Sequence, residues 1–146
     1  MKYVLTAALA ALALAPVASA QPQPGGSCPA GALTKLPDSS VLTCSAGTWA
    51  PYGGPYPNSD LWVSDATGIS LHGQGLRNPE IMSGQWTATP LDPAATCGAT
   101  QSAVVAAGEV GPEQTTAGLP GQPLELTVLP VVFQIILSGD CVWQKR

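Results

Sequence analysis

The chain predicts an all-β fold: a small disulfide-bonded β-sandwich carrying an N-terminal disulfide-closed hairpin. Three observations lead there. Short stretches alternating apolar and polar residues recur between Gly-, Pro- and Asp-containing turns. No long segment shows the 3.6-residue apolar period of an amphipathic helix. Four cysteines, Cys28, Cys44, Cys97 and Cys141, all lie beyond a leader of secretory type, so an oxidising compartment and two disulfides are expected.

The leader is residues 1–20, MKYVLTAALAALALAPVASA. Lys2 supplies a positive start, Val4 to Leu14 a short apolar run, and Ala18-Ser19-Ala20 an A-x-A cleavage site. The run is too short to span a bilayer, and no other segment reads as a membrane span. Cysteine does not follow Ala20, so lipid attachment at that point is not indicated. Residues 21–27, QPQPGGS, have the composition of a disordered lead-in.

Residues 28–57 are read as the hairpin and an aromatic connector. Strand-like pieces around Leu33 and Val41-Leu42-Thr43 flank the turn PDSS, and Cys28 and Cys44 bracket them. Four cysteines allow three pairings; Cys28–Cys44 and Cys97–Cys141 are preferred because each staples a compact segment. In the chain-entropy picture these closures contribute roughly 3 and 4 kcal/mol. The connector, TWAPYGGPYPNSDLW, concentrates two tryptophans, two tyrosines and three prolines around Gly53-Gly54.

Residues 58–146 are expected to form the sandwich. LWVSD and ISLHG are short strands. SGQWTATPL places Gln85, Thr87 and Thr89 on one face and Trp86 and Ala88 on the other. SAVVAAGEV is a weaker strand, GPEQTTAGLPGQP a loop, and LELTVL a clean alternation with Leu124, Leu126 and Val128 inward. In VFQIILSGDCVWQ, residues Phe133, Ile135, Leu137, Cys141 and Trp143 share one parity. An unbroken strand would carry all five into the core, with Gly139 as a bulge or close-approach position.

A resemblance enters through the Ala-rich leader ending ASA, the unit C…LTCSAGTW, and SGQW…C…LELTVLP…F…LSGDCVW. These resemble small secreted proteins of mycobacteria and related actinobacteria, most without an assigned function, over about half the mature chain. The resemblance implies a disulfide-closed β-domain of the cell envelope or medium and brings no catalytic residues with it.

Charge narrows the partners. Without the leader, Lys35, Arg77, Lys145 and Arg146 face nine carboxylates, about five net negative charges. Nucleic acid, which needs clustered Lys and Arg, is not an expected partner; neither is anionic lipid. His72 is the single histidine. It shares a strand face with Ser70, and Asp65 is a candidate to orient it, but no nucleophile-elbow G-x-S-x-G is present. The carboxylates Asp60, Asp65, Glu109 and Glu113 are scattered rather than clustered for a metal, and no phosphate loop or dinucleotide motif appears. No catalytic residue, metal or cofactor is expected.

The expected role is therefore that of a secreted or envelope-associated, non-catalytic binding protein, with an envelope glycan or another secreted protein as partner. The candidate contact residues are Trp49, Tyr52, Tyr56 and Trp62, since aromatic faces with a polar handle suit sugars and proteins alike, and prolines stiffen such a surface. With only one Phe in the chain, the tryptophans also have to supply core volume. The connector then reads as packed, with Tyr52 and Tyr56 showing a face. The alternatives are a small extracellular hydrolase of cell-wall material working through His72 or a carboxylate pair, and a structural or antigenic secreted protein without a small ligand.

Overall fold

The computed structural model describes residues 21–146; the secretory leader expected over residues 1–20 lies outside them. In chain order the strands are β1 (Leu33–Lys35), β2 (Val41–Ser45), β3 (Thr48–Pro51), β4 (Leu61–Ser64), β5 (Ile69–Leu71) and β6 (Gly84–Pro90). They continue as β7 (Gly98–Ala106), β8 (Glu109–Val110), β9 (Gln114–Ala117), β10 (Leu124–Val128), β11 (Val132–Ser138) and β12 (Cys141–Lys145). No helix occurs among the described residues. The protein is an all-β, disulfide-bonded sandwich, with Cys28 joined to Cys44 and Cys97 to Cys141.

One sheet has seven strands in the order β10-β6-β12-β4-β1-β2-β3, and the second runs β5-β11-β7-β8 with β9 also paired to β7. All neighbours are antiparallel except β1 and β4. β10 comes against β7 and β1 against β5. The three-strand layer β5-β11-β7 therefore covers the larger sheet from its edge strand β10 to β1, and β2-β3 extend past it.

Period-2 alternation builds the core. Register places Leu33, Trp62, Trp143, Ala88 and Leu124 in one cross-strand row on the inner face of the large sheet. Alanine beside the two indoles leaves them room to interdigitate. Across from that row stand Leu71, Ile135, Ile69 and Leu137. Trp62, Trp86 and Trp143 are fully buried. Each indole N–H is satisfied: Trp62 donates to the Glu80 carbonyl (3.0 Å), Trp86 to the Met82 carbonyl (2.9 Å) and Trp143 to Ser64 Oγ (2.8 Å). Tryptophan can therefore take the place of phenylalanine here without orphaning a donor.

Polar side chains close both flanks. Gln101 of β7, almost fully buried, donates from Nε2 to the Thr127 carbonyl (2.8 Å) and accepts the Leu129 N–H at Oε1 (3.0 Å). It thereby pairs the Thr127 carbonyl within the edge strand β10 and the Leu129 N–H just beyond it. On the other flank Lys35 Nζ donates to the Ser70 carbonyl of the edge strand β5 (3.0 Å). The Cys97–Cys141 bridge ties the start of β7 in one sheet to the start of β12 in the other.

Four expectations are corrected. First, Phe133 is not in the core. A register shift between Val132, opposite Ala103, and Gln134, opposite Ser102, makes Phe133 the extra residue of a bulge. Val132 takes the inward place, and Phe133 is 37% exposed. Second, β11 and β12 are not one strand. Ser138 pairs in the small sheet and Cys141 in the large one, and the chain crosses between them at Gly139, φ +86°. A Cβ at Gly139 would overlap the Thr96 carbonyl oxygen, so only glycine fits this crossing.

Third, residues 114–117 within the expected loop GPEQTTAGLPGQP pair with β7 as β9, where the threonines suit an exposed edge. Fourth, the lead-in 21–27 is held in place. Gly25 N–H donates to the Trp49 carbonyl (2.8 Å), and Trp49 N–H to the Gly26 carbonyl (2.9 Å). This segment and the Cys28–Cys44 bridge cover a second apolar cluster, Ala32, Leu42, Cys44, Trp49 and Val63, on the outer side of the large sheet. Pro/Gly composition argues against regular structure, but burial of Trp49 fixes the segment all the same.

Candidate functional site

The four aromatic residues of the connector part company. Trp62 lies in β4 with its ring sealed in the main core, and Trp49 lies in β3 with its ring in the outer cluster. Neither can form the aromatic contact face that the sequence suggested. The reason is parity: on β4, Trp62 faces inward opposite Trp143, while Trp49 shares the face of Cys44. Trp49 shows only an edge, in a hollow of about 300 Å³ beneath the lead-in that is also lined by Pro22, Pro29, Val63 and Leu91.

The tyrosines behave differently. Tyr52 N–H donates to the Val41 carbonyl (3.0 Å), which anchors the loop to β2. The Tyr52 ring packs partly against the core and folds over Gly54, where a Cβ would overlap the phenol. Its hydroxyl donates to the Tyr56 carbonyl (3.4 Å). Tyr56 is 62% exposed, flanked by Pro55 and Pro57. At the far end Asn58 Nδ2 donates to the Pro79 carbonyl (2.7 Å), and Ser59 N–H to the Glu80 carbonyl (3.3 Å). The loop backbone is thus pinned at both ends and braced at its middle, with the Tyr56 side chain exposed.

Its pinning partner, residues 79–80, belongs to a polar cluster that the sequence did not reveal. Glu80 is buried, with its side chain 5% exposed. Its carboxylate meets Lys35 Nζ at 2.7 Å, accepts the backbone N–H of His72 at 3.1 Å, and lies 3.2 Å from His72 Nδ1. His72 itself is about half exposed. Ser70, two residues before it, accepts a hydrogen bond from Gln134 Nε2 (2.6 Å). Among the described residues no hydrogen bond joins Ser70 to His72. A shallow hollow of about 150 Å³ beside Lys35 and Ser70 opens next to this cluster.

Asp65, the expected partner of His72, is instead turned to its own chain. Its Oδ1 accepts from Thr67 N–H (2.9 Å), Thr67 Oγ1 (2.6 Å) and Gly68 N–H (3.1 Å), which closes the β4–β5 turn. The carboxylate that lies beside the His72 ring is Glu80. Glu80 sits in LRNPEIM, a stretch without periodicity, and only its charge beside Ile81 marked it. Burial of both was decided by the loop's path. Glu109 and Glu113 lie exposed at β8 and before β9, and among the described residues no group of three or more potential ligands is placed to hold a metal ion. Nor is any helix there long and apolar enough to cross a membrane.

No protein-family model matches the chain, and no curated protein or solved structure matches it either. The two disulfides are compatible with an extracellular or otherwise oxidising environment.

Proposed function

We propose that the protein is secreted, into the medium or the cell envelope, and acts without catalysis by binding an envelope glycan or another secreted protein through the loop 52–57. The observation that carries this reading is the outward Tyr56 phenol on a loop fastened at Tyr52, Asn58 and Ser59. With the loop backbone already tied down, contact through Tyr56 orders one side chain rather than a whole loop, so stacking on a sugar or an apolar side chain is offset less by ordering. The negative net charge and the resemblance to secreted actinobacterial proteins point the same way. Trp49 and Trp62 act in this reading only as supports.

The test is co-sedimentation of the oxidised protein with purified cell-wall polysaccharide, beside a Tyr56→Ala variant. Binding by the wild type that the folded variant loses supports a glycan partner through this loop. Equal pelleting of both removes the loop from the reading. No pelleting of either sends the search to protein partners.

One observation favours a second reading, a small hydrolase of cell-wall material: the Glu80 carboxylate lies 3.2 Å from Nδ1 of a His72 ring that is about half exposed, two residues from Ser70. A carboxylate–imidazole pair is half of a nucleophilic triad. Labelling of the protein by a fluorophosphonate, abolished by Ser70→Ala, would establish it; absence of labelling at millimolar probe would dismiss it.

A further inference from the structure

Three of the four tryptophans bond their indole N–H inside the protein, to the Glu80 and Met82 carbonyls and to Ser64 Oγ. Trp49 does not. Among the described residues its Nε1 has no hydrogen-bond partner, although the residue is only 4% exposed. No sealed side-chain nitrogen is left unpaired there, so this N–H reaches an opening. Trp49 and Gly26 both line the hollow of about 300 Å³ beneath the lead-in. A Cβ on Gly26 would stand 3.7 Å from Trp49 Cδ1, the ring atom bonded to Nε1, so the N–H side of the indole lies beside that wall. The wall is a tight turn. Gly26 N–H donates to the Gln23 carbonyl (3.0 Å), with Pro24 second and Gly25, φ +86°, third, the type II pattern. Pro22, Pro29 and Val63 add aliphatic surface, and Gln23 and Ser27 add an amide and a hydroxyl. Among the described residues no charged side chain lines the hollow.

We propose that this hollow binds one neutral sugar ring, free or at the end of a glycan chain, with a sugar oxygen accepting from Trp49 Nε1. Three features select that ligand. The volume lies at the lower end of small-ligand sites, on the order of 300–1,000 Å³, room for one ring rather than several. An indole N–H held unpaired in a nearly closed place favours a ligand that brings it an acceptor. The amide and the hydroxyl both donate and accept, as sugar hydroxyls do, while the prolines and Val63 suit the C–H face of the ring. With no ion in the wall, a charged ligand would lose water without gaining a partner. Trp49 belongs to the outer cluster and the Tyr52 ring packs on the main core, so the proposal goes beyond the tyrosine loop and stands or falls separately from it.

Two measurements on the oxidised, isotope-labelled protein test it. The first needs no ligand: the Trp49 indole N–H should exchange with solvent faster than those of Trp62, Trp86 and Trp143. Exchange as slow as theirs would overturn the proposal at its root. In the second, glucose, galactose, mannose, arabinose and N-acetylglucosamine are titrated in turn. At least one is expected to shift the Trp49 indole N–H together with the Gly26 and Ser27 amides, with a Kd on the order of millimolar. Glucuronate and galacturonate should bind more weakly than the responding sugar. Trp49→Phe keeps an aromatic ring, removes the donor and should weaken binding about five-fold. Ser27→Ala, which keeps the backbone bridge to Thr48, should weaken it roughly three-fold. Tyr56→Ala should leave it unchanged. The trisaccharide of the responding sugar separates the two sources: equal binding assigns the hollow to a chain end, loss of binding to the free sugar, and either upholds the site. No shift from any sugar at tens of millimolar, shifts scattered over the surface, uronates binding as well as neutral sugars, or wild-type binding by both Trp49→Phe and Ser27→Ala would each overturn the proposal. A response to acetyl-prolinamide with none to any sugar would make the hollow a peptide site and refute a sugar ligand.

Discussion

Replacing Glu80 by alanine is the sharpest test of how the polar cluster is built. Its carboxylate is almost fully withdrawn from water and meets Lys35 Nζ at 2.7 Å, with the Lys35 side chain only 15% exposed. It also accepts the His72 backbone N–H. Alanine leaves a largely withdrawn ammonium with only the Ser70 carbonyl, and the His72 backbone N–H without the carboxylate it bonds. Removing one member of a buried pair costs about 3–5 kcal/mol. Because Lys35 keeps a path to water, the lower end, about 3 kcal/mol, is expected. For a domain of this size that lowers Tm by roughly 10 °C. Urea unfolding of the oxidised protein measures it, with unchanged slope confirming that the folded state is retained. The double replacement Lys35→Met with Glu80→Leu should recover most of the loss, since removing both charges leaves no ion uncompensated. A Glu80→Ala variant within about 0.5 kcal/mol of the wild type, the range of ordinary surface changes, would refute the reasoning. So would a double variant no better than the single one.

The remaining predictions test other parts of the structure. Replacing Cys97 and Cys141 by serine should lower stability by about 4 kcal/mol in denaturant titrations, against about 3 kcal/mol for Cys28 and Cys44. The second change should also speed hydrogen exchange at Gly25, Cys28 and Trp49 while the amides of β11 stay protected. Gln101→Leu orphans the Thr127 carbonyl and the Leu129 N–H and should cost about 2 kcal/mol in the same assay. Phe133→Thr should change stability by less than about 1 kcal/mol, whereas Ile135→Ala, two residues on and fully buried, should lose about 2–5 kcal/mol. A reversed order would restore the unbroken parity expected from sequence. The Asp38 carboxyl is held below its ordinary range by hydrogen bonds from the Ser40 hydroxyl and the Ser40 backbone N–H. Its folded pKa is depressed, so its contribution is present above the unfolded value and fades as pH falls through the folded one. An NMR titration of Asp38 in the wild type and in Ser40→Ala should show the midpoint rising in the variant.

The fold class was legible because it depends on signals written locally. Alternation in SGQWTATPL and LELTVL sets which side chains turn inward, and β6 and β10 follow it residue by residue. The cysteine spacing favoured the two bridges that form, and a single Phe left the core to Trp62, Trp86 and Trp143. The candidate site was only partly legible. The tyrosines could be singled out as a stiff, wettable aromatic pair, and the need for core volume turned Trp49 and Trp62 inward, where both lie, although their type had also made them candidate contact residues. Local pattern says that one face of a strand is apolar; it does not say whether that face meets the core or the outer cluster.

Neighbours along the chain decide strand parity, turn positions and the glycines that tight turns demand, and these can be read from the sequence. The relations between distant segments emerge only when the chain is folded. The switch of sheets at Gly139, the extra residue at Phe133, the strand pairing of residues 114–117 and the docking of residues 21–27 all depend on which strand or cluster lies alongside. So does the placing of Lys35, His72 and Glu80, which stand up to 45 residues apart in sequence, around one carboxylate. Their energies come from burial and from partners that the path of the chain brings alongside, which local alternation does not encode.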